Sequence, residues 1–162
     1  MKRKIVTAER LSAISKRMRQ GGKKLVFTNG CFDVLHVGHV RYLQAARAMG
    51  DKLAVAINGD ESVRALKGEG RPFNNESDRA EVVAAKQCVN YVVIFPEVRA
   101  TQLLEKVRPA IYVKGGDYTE ETLDPEERAA LKRIGTEIRI VPFEAGHSTS
   151  GLLEKIKLQG GE

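Results

Sequence analysis

Residues 25–39 read Leu25-Val-Phe-Thr-Asn-Gly-Cys-Phe-Asp-Val-Leu-His-Val-Gly-His39, and this stretch decides the fold. Its first four residues are β-prone and contain no Gly or Pro, which predicts a buried parallel strand that the Asn29-Gly30 pair ends. From Val40 onward, apolar side chains recur at helical spacing until Gly50-Asp51 stops the pattern. The stretch therefore predicts a strand, a loop and the start of a helix in close succession.

The His36-Val-Gly-His39 segment lies where this helix is predicted to begin. Unpaired backbone N–H groups and the positive end of the helix dipole favour an anion there, and Gly38 lets a phosphate approach the backbone without meeting a Cβ. Two imidazoles can add hydrogen-bond donors to the same anion. The segment therefore predicts a phosphate site. The alternatives are ordinary capping histidines, or a zinc site with Cys31 for which further ligands are not evident.

The rest of the chain alternates predicted strands and helices. The further strands are predicted over 53–57, 91–95, 110–113 and 138–141. Helices are predicted with N-caps at Thr7, Asn75 and Ser148, over 61–66 and 101–107, and from Pro125 to Ile134. This alternation predicts an α/β fold, a single Rossmann-like doubly wound domain over residues 23–162 with a five-stranded, mainly parallel sheet. A lead-in helix over residues 1–22 precedes it.

Four polar segments follow predicted strands: 28–39, 58–60, 114–118 and 146–150. Ligands of parallel sheets bind beyond the carboxyl ends of the strands, so these segments are expected to converge. They supply imidazoles, hydroxyls, a lysine and carboxylates, a set that suits phosphates, a sugar and a divalent cation. The basic, glycine-rich stretch 67–72 is predicted to be a loop that closes over a ligand. Neither a P-loop nor a G-x-G-x-x-G motif is present.

Composition narrows the class of protein. The chain has 162 residues and a net charge of +6, with Lys and Arg interspersed among Asp and Glu, so nucleic acid is not an expected partner. No apolar run approaches the roughly 20 residues of a membrane span, and the basic N-terminus lacks a hydrophobic signal core. We therefore expect a cytoplasmic protein with one catalytic domain, no membrane contact and no disulfide between Cys31 and Cys88.

The stretch from Phe27 to His39 resembles the H-x-G-H signature of the cytidylyltransferase-like nucleotidyltransferases, and Gly146-His-Ser-Thr-Ser150 resembles their second signature. Residues 58–62, 66–72 and 113–118 are similar to segments of the adenylyltransferase domain of bacterial bifunctional ADP-heptose synthases. That similarity extends from Lys4 to about Lys157. The resemblance implies transfer of AMP from ATP to D-glycero-β-D-manno-heptose 1-phosphate, giving ADP-heptose, a precursor of the lipopolysaccharide core, and pyrophosphate.

The resemblance also implies roles for particular residues. Catalytic roles fall to His36, His39, Lys67 and Lys155. Nucleotide binding falls to Thr28, Asn29, Gly30, Cys31, Phe32, Gly38, Arg71, Ser148, Thr149 and Ser150. Sugar-phosphate binding falls to Asp33, Asp60, Lys114, Gly115 and Asp117. The expected cofactor is Mg²⁺ bound through the ATP phosphates, with no metal ligand from the protein.

A homodimer and a sugar-phosphate kinase on a separate polypeptide are further expectations from the resemblance. Two alternatives stay open. One is a cytidylyltransferase for glycerol 3-phosphate or another alcohol or sugar phosphate, which would share the fold and both signatures. The other is a non-enzymatic nucleotide sensor, against which the two histidines and the Ser148-Thr-Ser150 segment argue. The sequence does not decide which of Lys67, Arg71 and Lys155 contacts which phosphate, nor the role of His147.

Overall fold

The computed structural model describes residues 2–116, 119–142 and 148–160. Five strands form one sheet in the order β3-β2-β1-β4-β5, and every neighbouring pair is parallel. The predicted α/β sheet is therefore confirmed. The strands are β1 (Leu25–Gly30), β2 (Lys52–Asn58), β3 (Tyr91–Phe95), β4 (Ile111–Gly115) and β5 (Glu137–Val141).

Within the described residues, seven α-helices connect or flank the strands. They are α1 (Ala8–Gln20), α2 (Val37–Arg47), α3 (Asp60–Lys67), α4 (Glu76–Ala84), α5 (Thr101–Val107), α6 (Pro125–Ile134) and α7 (Thr149–Gln159). The three predicted N-caps are confirmed, because the side chains of Thr7, Asn75 and Ser148 each accept a backbone N–H of the following turn. No helix in these ranges is long and apolar enough to cross a membrane.

One predicted boundary in the 25–39 stretch is wrong. Asn29 and Gly30 do not interrupt β1 but are its last two residues, in register with Ala56 and Ile57 of β2. This longer strand shortens the loop, so the histidine segment lies nearer to the end of β1 than the sequence pattern indicates. The prediction that the His36-Val-Gly-His39 segment begins helix α2 is confirmed, because α2 begins at Val37 and the His36 side chain caps its first turn.

The two faces of the sheet are covered by different helices. Leu11, Ile14 and Met18 of α1 pack in one buried cluster with apolar residues of α5 and of the sheet. Leu43 and Ala46 of α2 pack in a second cluster with residues of α4 on the opposite face. Helix α1, predicted as a lead-in, thus contributes to the same core as the sheet.

The strand order reverses at β1, since the chain passes from β1 to β2 on one side and later inserts β4 on the other. Such a reversal separates the connections that leave the two neighbouring strands and opens a crevice at their carboxyl ends. The segment that follows β1 contains the His36-Val-Gly-His39 motif, so the fold places it at this crevice.

Candidate functional site

A cavity of about 800 Å³ opens at the carboxyl ends of the strands, where the crevice was expected. Most of the predicted site residues line it, which shows that the fold brings four separate stretches of sequence together. These residues are Asn29, Gly30, Cys31, Phe32, Asp33, His36, Gly38, His39, Lys67, Arg71, Lys114, Gly115, Ser148, Thr149 and Ser150.

Three predicted site residues do not line the cavity. Thr28 is fully buried behind it, Asp60 forms an ion pair with Arg79, and Lys155 is exposed on α7. Asp117, and also His147, lie outside the described residues. Binding or catalytic roles for these residues stay predictions. Thr28 and Asp60 contact Tyr42 and Arg79, which hold together the elements around the cavity.

The two histidines cap the helix that they begin. Gly38 N donates to Nδ1 of His36 at 3.0 Å, and His36 N donates to Nδ1 of His39 at 3.2 Å. An imidazole nitrogen that accepts an N–H bond carries no proton, so the proton of each neutral ring is on Nε2. The capping contacts therefore give both rings the tautomer that presents an N–H donor at Nε2. The ring centroids are 4.1 Å apart, so these donors can act on one ligand.

Burial sets the charge of His39. Removal from water, and to a smaller degree the neighbouring His36, lowers the pKa of His39 to about 4. The ring is therefore neutral near pH 7 and acts as a hydrogen-bond donor rather than as a cation. Its ring also lies 5.9 Å from that of Phe32, which forms part of its apolar surroundings.

Phe32 turns the chain sharply after β1. Its φ of 48° lies in the left-handed region, an unfavourable conformation for a bulky residue. The ring is nevertheless buried and lies over Gly30, where an added Cβ would come within 3.0 Å of the Phe32 ring. A side chain at position 30 would therefore displace the Phe32 ring.

Asp33 organises the segment Arg71–Asn74, which we call the 71–74 loop. Its carboxylate is 1% exposed and accepts Arg71 Nε at 3.0 Å, Phe73 N at 2.8 Å and Asn74 N at 2.9 Å. Burial alone would raise the pKa of Asp33, but these bonds outweigh it and hold the pKa below its ordinary value. Asp33 is thus an anionic anchor that presents Arg71 to the cavity.

Tyr42 on α2 joins the helix to β1 and β4. Its hydroxyl donates to Val113 O at 3.1 Å, so it accepts the proton of the Thr28 hydroxyl, whose oxygen lies 2.6 Å away. The Tyr42 ring lies against Gly115, where an added Cβ would come within 2.8 Å of ring atom Cε2. Gly115 therefore has a packing role: it leaves space for the side chain that fixes α2 on the sheet.

Helix α7 docks on the loop after β1. Thr149 Oγ1 donates to Val34 O at 3.0 Å, a contact between residues 115 positions apart in the sequence. Ser148 caps the helix by accepting Gly151 N at 2.9 Å. The N-terminus of α7, with its backbone donors, consequently lies beside that of α2 at one cavity.

Arg79 is a structural centre of the site that the sequence analysis missed. Its guanidinium is 1% exposed and donates to Cys31 O, Asn58 O, Asn74 O and Asp60 Oδ1 at 2.7–2.9 Å. It therefore ties together the ends of β1 and β2, the 71–74 loop and α3. The sequence contained a signal, since position 79 shares the apolar face of α4 with Val83, where a charged residue is unexpected.

A second group of missed residues lines the cavity beyond β2 and β3. It consists of Val98 and Arg99, which follow β3, and of Leu123, Asp124 and Glu127 around the start of α6. Arg99 Nε pairs with Asp124 at 3.0 Å. No motif marks these positions in the sequence, because Asp124 and Glu127 match the acidic first turn of an ordinary helix.

No group of three or more His, Cys, Asp or Glu residues in the described ranges could hold a metal ion. The carboxylates of Asp33 and Asp60 are already bound to Arg71 and Arg79. This donor set does not suit a resident metal held by protein side chains alone. It is compatible with a cation that arrives coordinated by phosphates, as Mg²⁺ often does.

A doubly wound parallel sheet with a phosphate-type site at the reversal of strand order is the arrangement of a nucleotide-binding α/β protein. The chain belongs to the Cytidylyltransferase-like family, whose sequence profile matches residues 27–154. The matched region begins in β1 and ends in α7, so it includes both the histidine segment and the Ser148-Thr-Ser150 segment.

Curated relatives give a finer comparison. The chain is 49% identical over 154 residues to the bifunctional protein HldE of Geotalea uraniireducens, and 46% identical over 159 residues to that of Geobacter metallireducens. These matches cover 95% and 98% of the chain but only 31% and 32% of the relatives. A solved structure, the lipopolysaccharide core biosynthesis protein of Thermoplasma volcanium, is 26% identical in sequence and has a TM-score of 0.61. The match covers 98% of that protein and 76% of this chain.

Proposed function

We propose that this protein transfers AMP from ATP to D-glycero-β-D-manno-heptose 1-phosphate, giving ADP-heptose and pyrophosphate. The observation that carries the proposal is the pair of Nε2-protonated histidines at the N-terminus of α2, in a cavity shared with Lys67, Arg71 and Lys114. The similarity to proteins named HldE, and to one named for lipopolysaccharide core biosynthesis, supports the choice of substrate.

In the proposed reaction, a phosphate oxygen of the sugar 1-phosphate attacks the α-phosphorus of ATP. A new P–O bond forms, the bond between the α-phosphorus and the bridging oxygen breaks, and pyrophosphate leaves with the bonding electrons. Positioning and charge stabilisation can supply most of the rate enhancement for such a transfer. His36 and His39 donate from Nε2 to the phosphate oxygens on which charge develops. Because His39 is neutral, no proton is lost from it when the anion binds.

The remaining nucleotide contacts follow from the walls of the cavity. Lys67 and Arg71 are proposed to bind the β- and γ-phosphates, with the Arg71 Nη groups available once Nε is held by Asp33. Ser148, Thr149 and Ser150 place the N-terminus of α7 beside the nucleotide, and Lys155 on the same helix is a further proposed cation. Mg²⁺ on the ATP phosphates would neutralise part of the charge that develops on pyrophosphate.

Lys114 and Gly115 at the end of β4 are proposed to face the sugar phosphate, and Asp117 follows them in the sequence. Lys114 provides a point charge for the phosphate. Asp33 acts on substrate through Arg71, which lines the cavity. Asp60 supports the site through its ion pair with the buried Arg79. The proposed reaction consumes a sugar 1-phosphate, which a kinase or phosphomutase reaction must supply.

A cytidylyltransferase acting on glycerol 3-phosphate is the second candidate, favoured by the family to which the chain belongs. An assay of pyrophosphate release distinguishes the two candidate functions. ATP, CTP, GTP and UTP are each tested with heptose 1-phosphate, other sugar 1-phosphates and glycerol 3-phosphate. We expect the highest kcat/KM for ATP with heptose 1-phosphate. Preferred turnover of CTP with glycerol 3-phosphate would establish the second candidate, and release from no pair would contradict both.

Two further expectations belong to this proposal. We propose a homodimer located in the cytoplasm. Size-exclusion chromatography with light scattering tests the dimer, and a mass near that of the 17.9 kDa chain would contradict it.

A further inference from the structure

The part of the cavity beyond β2 and β3 is held together by a continuous set of contacts. Asn58 Nδ2 donates to Val98 O at 3.2 Å, and Ala100 N donates to Glu127 Oε1 at 3.2 Å. Strand β2, the turn after β3 and the first turn of α6 thus form one wall. Strands β2 and β3 lie on the opposite side of β1 from β4 and β5. Helix α6 belongs to the connection from β4 to β5, and its first turn reaches the turn after β3 through Glu127.

Glu127 is the unusual member of this wall because its carboxylate is buried. The residue is 5% exposed, and no Lys, Arg or His side chain in the described ranges forms an ion pair with it. A buried carboxylate without a cation is unusual, because a neutral side chain of the same shape costs less to remove from water. A glutamine could accept the Ala100 N–H equally well. The bond from Ala100 N therefore explains why position 127 has a hydrogen-bond acceptor, but it does not explain why that acceptor is a carboxylate.

The groups around Glu127 suit a neutral ligand rich in hydroxyls. Val98 and Leu123 offer apolar surface to its C–H groups, while a carboxylate accepts hydrogen bonds from hydroxyls and repels phosphates. The phosphates are assigned by the proposed function to the histidines and to Lys67, Arg71 and Lys114.

We propose that Glu127 is a specificity-determining residue whose Oε2 atom accepts a hydrogen bond from a hydroxyl group of the acceptor sugar. This assignment rests on the proposed function. The ribose of the nucleotide is the other hydroxyl-bearing group in the reaction. It is expected near the N-terminus of α7, because the proposed function assigns Ser148, Thr149 and Ser150 to the nucleotide. The wall formed by β2, the turn after β3 and the first turn of α6 is left for the acceptor.

The test is the Glu127→Gln variant. Its amide oxygen can keep the Ala100 N–H bond while the amide nitrogen replaces Oε2, so the fold is retained and the charged acceptor is lost. We expect KM for D-glycero-β-D-manno-heptose 1-phosphate to rise about tenfold, because a hydrogen bond to a charged group is roughly twice as strong as a neutral one. KM for ATP and the melting temperature should change little. Glu126→Gln is the matched control, since it makes the same charge change at an exposed position of the same turn.

Each other result overturns the assignment in a distinguishable way. An unchanged KM for the sugar phosphate in an active, folded E127Q variant would mean that Glu127 only joins α6 to Ala100. A rise in KM for ATP instead would place the nucleotide at this wall. If the wild-type protein releases no pyrophosphate with any sugar 1-phosphate, the proposed function fails and the assignment fails with it. If the wild-type protein turns over normally and the E127Q variant has the same KM for the sugar phosphate, the assignment of Glu127 fails while the proposed function stands.

Discussion

Arg71 Nε donates to Asp33 Oδ2 at 3.0 Å, and this ion pair joins the loop after β1 to the 71–74 loop. The pair is asymmetric in exposure, because the Asp33 side chain is 1% exposed and that of Arg71 is 20% exposed. The buried anion therefore acts as the fixed partner and the guanidinium as the group that reaches the cavity. This makes Asp33 a positioning residue for a cation that the proposed mechanism assigns to ATP.

Replacement of Asp33 by Asn should raise KM for ATP about tenfold. The substitution removes the charge that holds Arg71 and weakens the bonds from Phe73 N and Asn74 N, and hydrogen bonds to charged groups contribute about 1.5–3 kcal/mol. Steady-state pyrophosphate release measures KM, and limited proteolysis should show faster cleavage near the 71–74 loop. Glu69→Gln, an exposed charge change nearby, should leave both unchanged. Equal effects of the two variants would contradict a specific role for Asp33.

His39→Ala and His39→Asn should both lower kcat by on the order of 10²-fold, the typical effect of removing one transition-state donor. Asparagine can place its side-chain oxygen near the Nδ1 position and keep the capping bond from His36 N, but it has nothing at Nε2. Pyrophosphate release gives kcat, and circular dichroism checks the fold. If the Asn variant is nearly as active as the wild type, His39 contributes to catalysis through its capping bond at Nδ1 and not through the N–H donor at Nε2.

The depressed pKa of His39 predicts that stability falls in mild acid. The ordinary value is 6.5 and the folded value is about 4, so below about pH 6.5 the unfolded chain binds a proton that the folded protein does not. The contribution of His39 to the free energy of unfolding is therefore constant above about pH 6.5 and decreases towards pH 4. Melting temperatures from pH 4.5 to 7.5 measure it. His39→Asn should show a shallower decrease, and parallel curves would contradict the assigned pKa.

Gly115→Ala should destabilise the protein by about 1–3 kcal/mol, the usual cost of overpacking. The new Cβ would lie 2.8 Å from Tyr42 Cε2, and moving that ring would disturb the bonds of its hydroxyl to Thr28 and Val113. Gly21→Ala is the control, because its Cβ would meet only ordinary contacts of 3.5 Å and longer. Denaturant unfolding compares the two. Equal stability of the two variants would show that Tyr42 adapts freely.

Much of the fold could be predicted because its signals are local. The alternation of apolar runs and helical patterns predicts the five strands, and Thr7, Asn75 and Ser148 are side chains whose capping role depends only on the next three residues. The end of β1 was wrong because Asn29 and Gly30 look like a turn locally. Their pairing with Ala56 and Ile57 is a tertiary contact that the local sequence does not encode.

The candidate site was predictable where a motif or a strand end marks it, as for His36, His39 and Lys114. Arg79 and Glu127 were missed because their importance depends on burial and on partners distant in sequence. Asp33 could be placed near the site, but its use as an anchor depends on residues about 40 positions later. Sequence patterns indicate which groups are available, whereas tertiary contacts determine which of them are already bound.

The Thr149–Val34 contact has a consequence for synthesis of the chain. During translation, all five strands and the histidine segment emerge from the ribosome before α7 does, because α7 begins at Thr149. A nascent chain can therefore expose all five strands and the first half of the site before the second half emerges. The proposed nucleotide site becomes complete only after α7 has emerged, so binding can stabilise chains that include α7 without holding shorter ones.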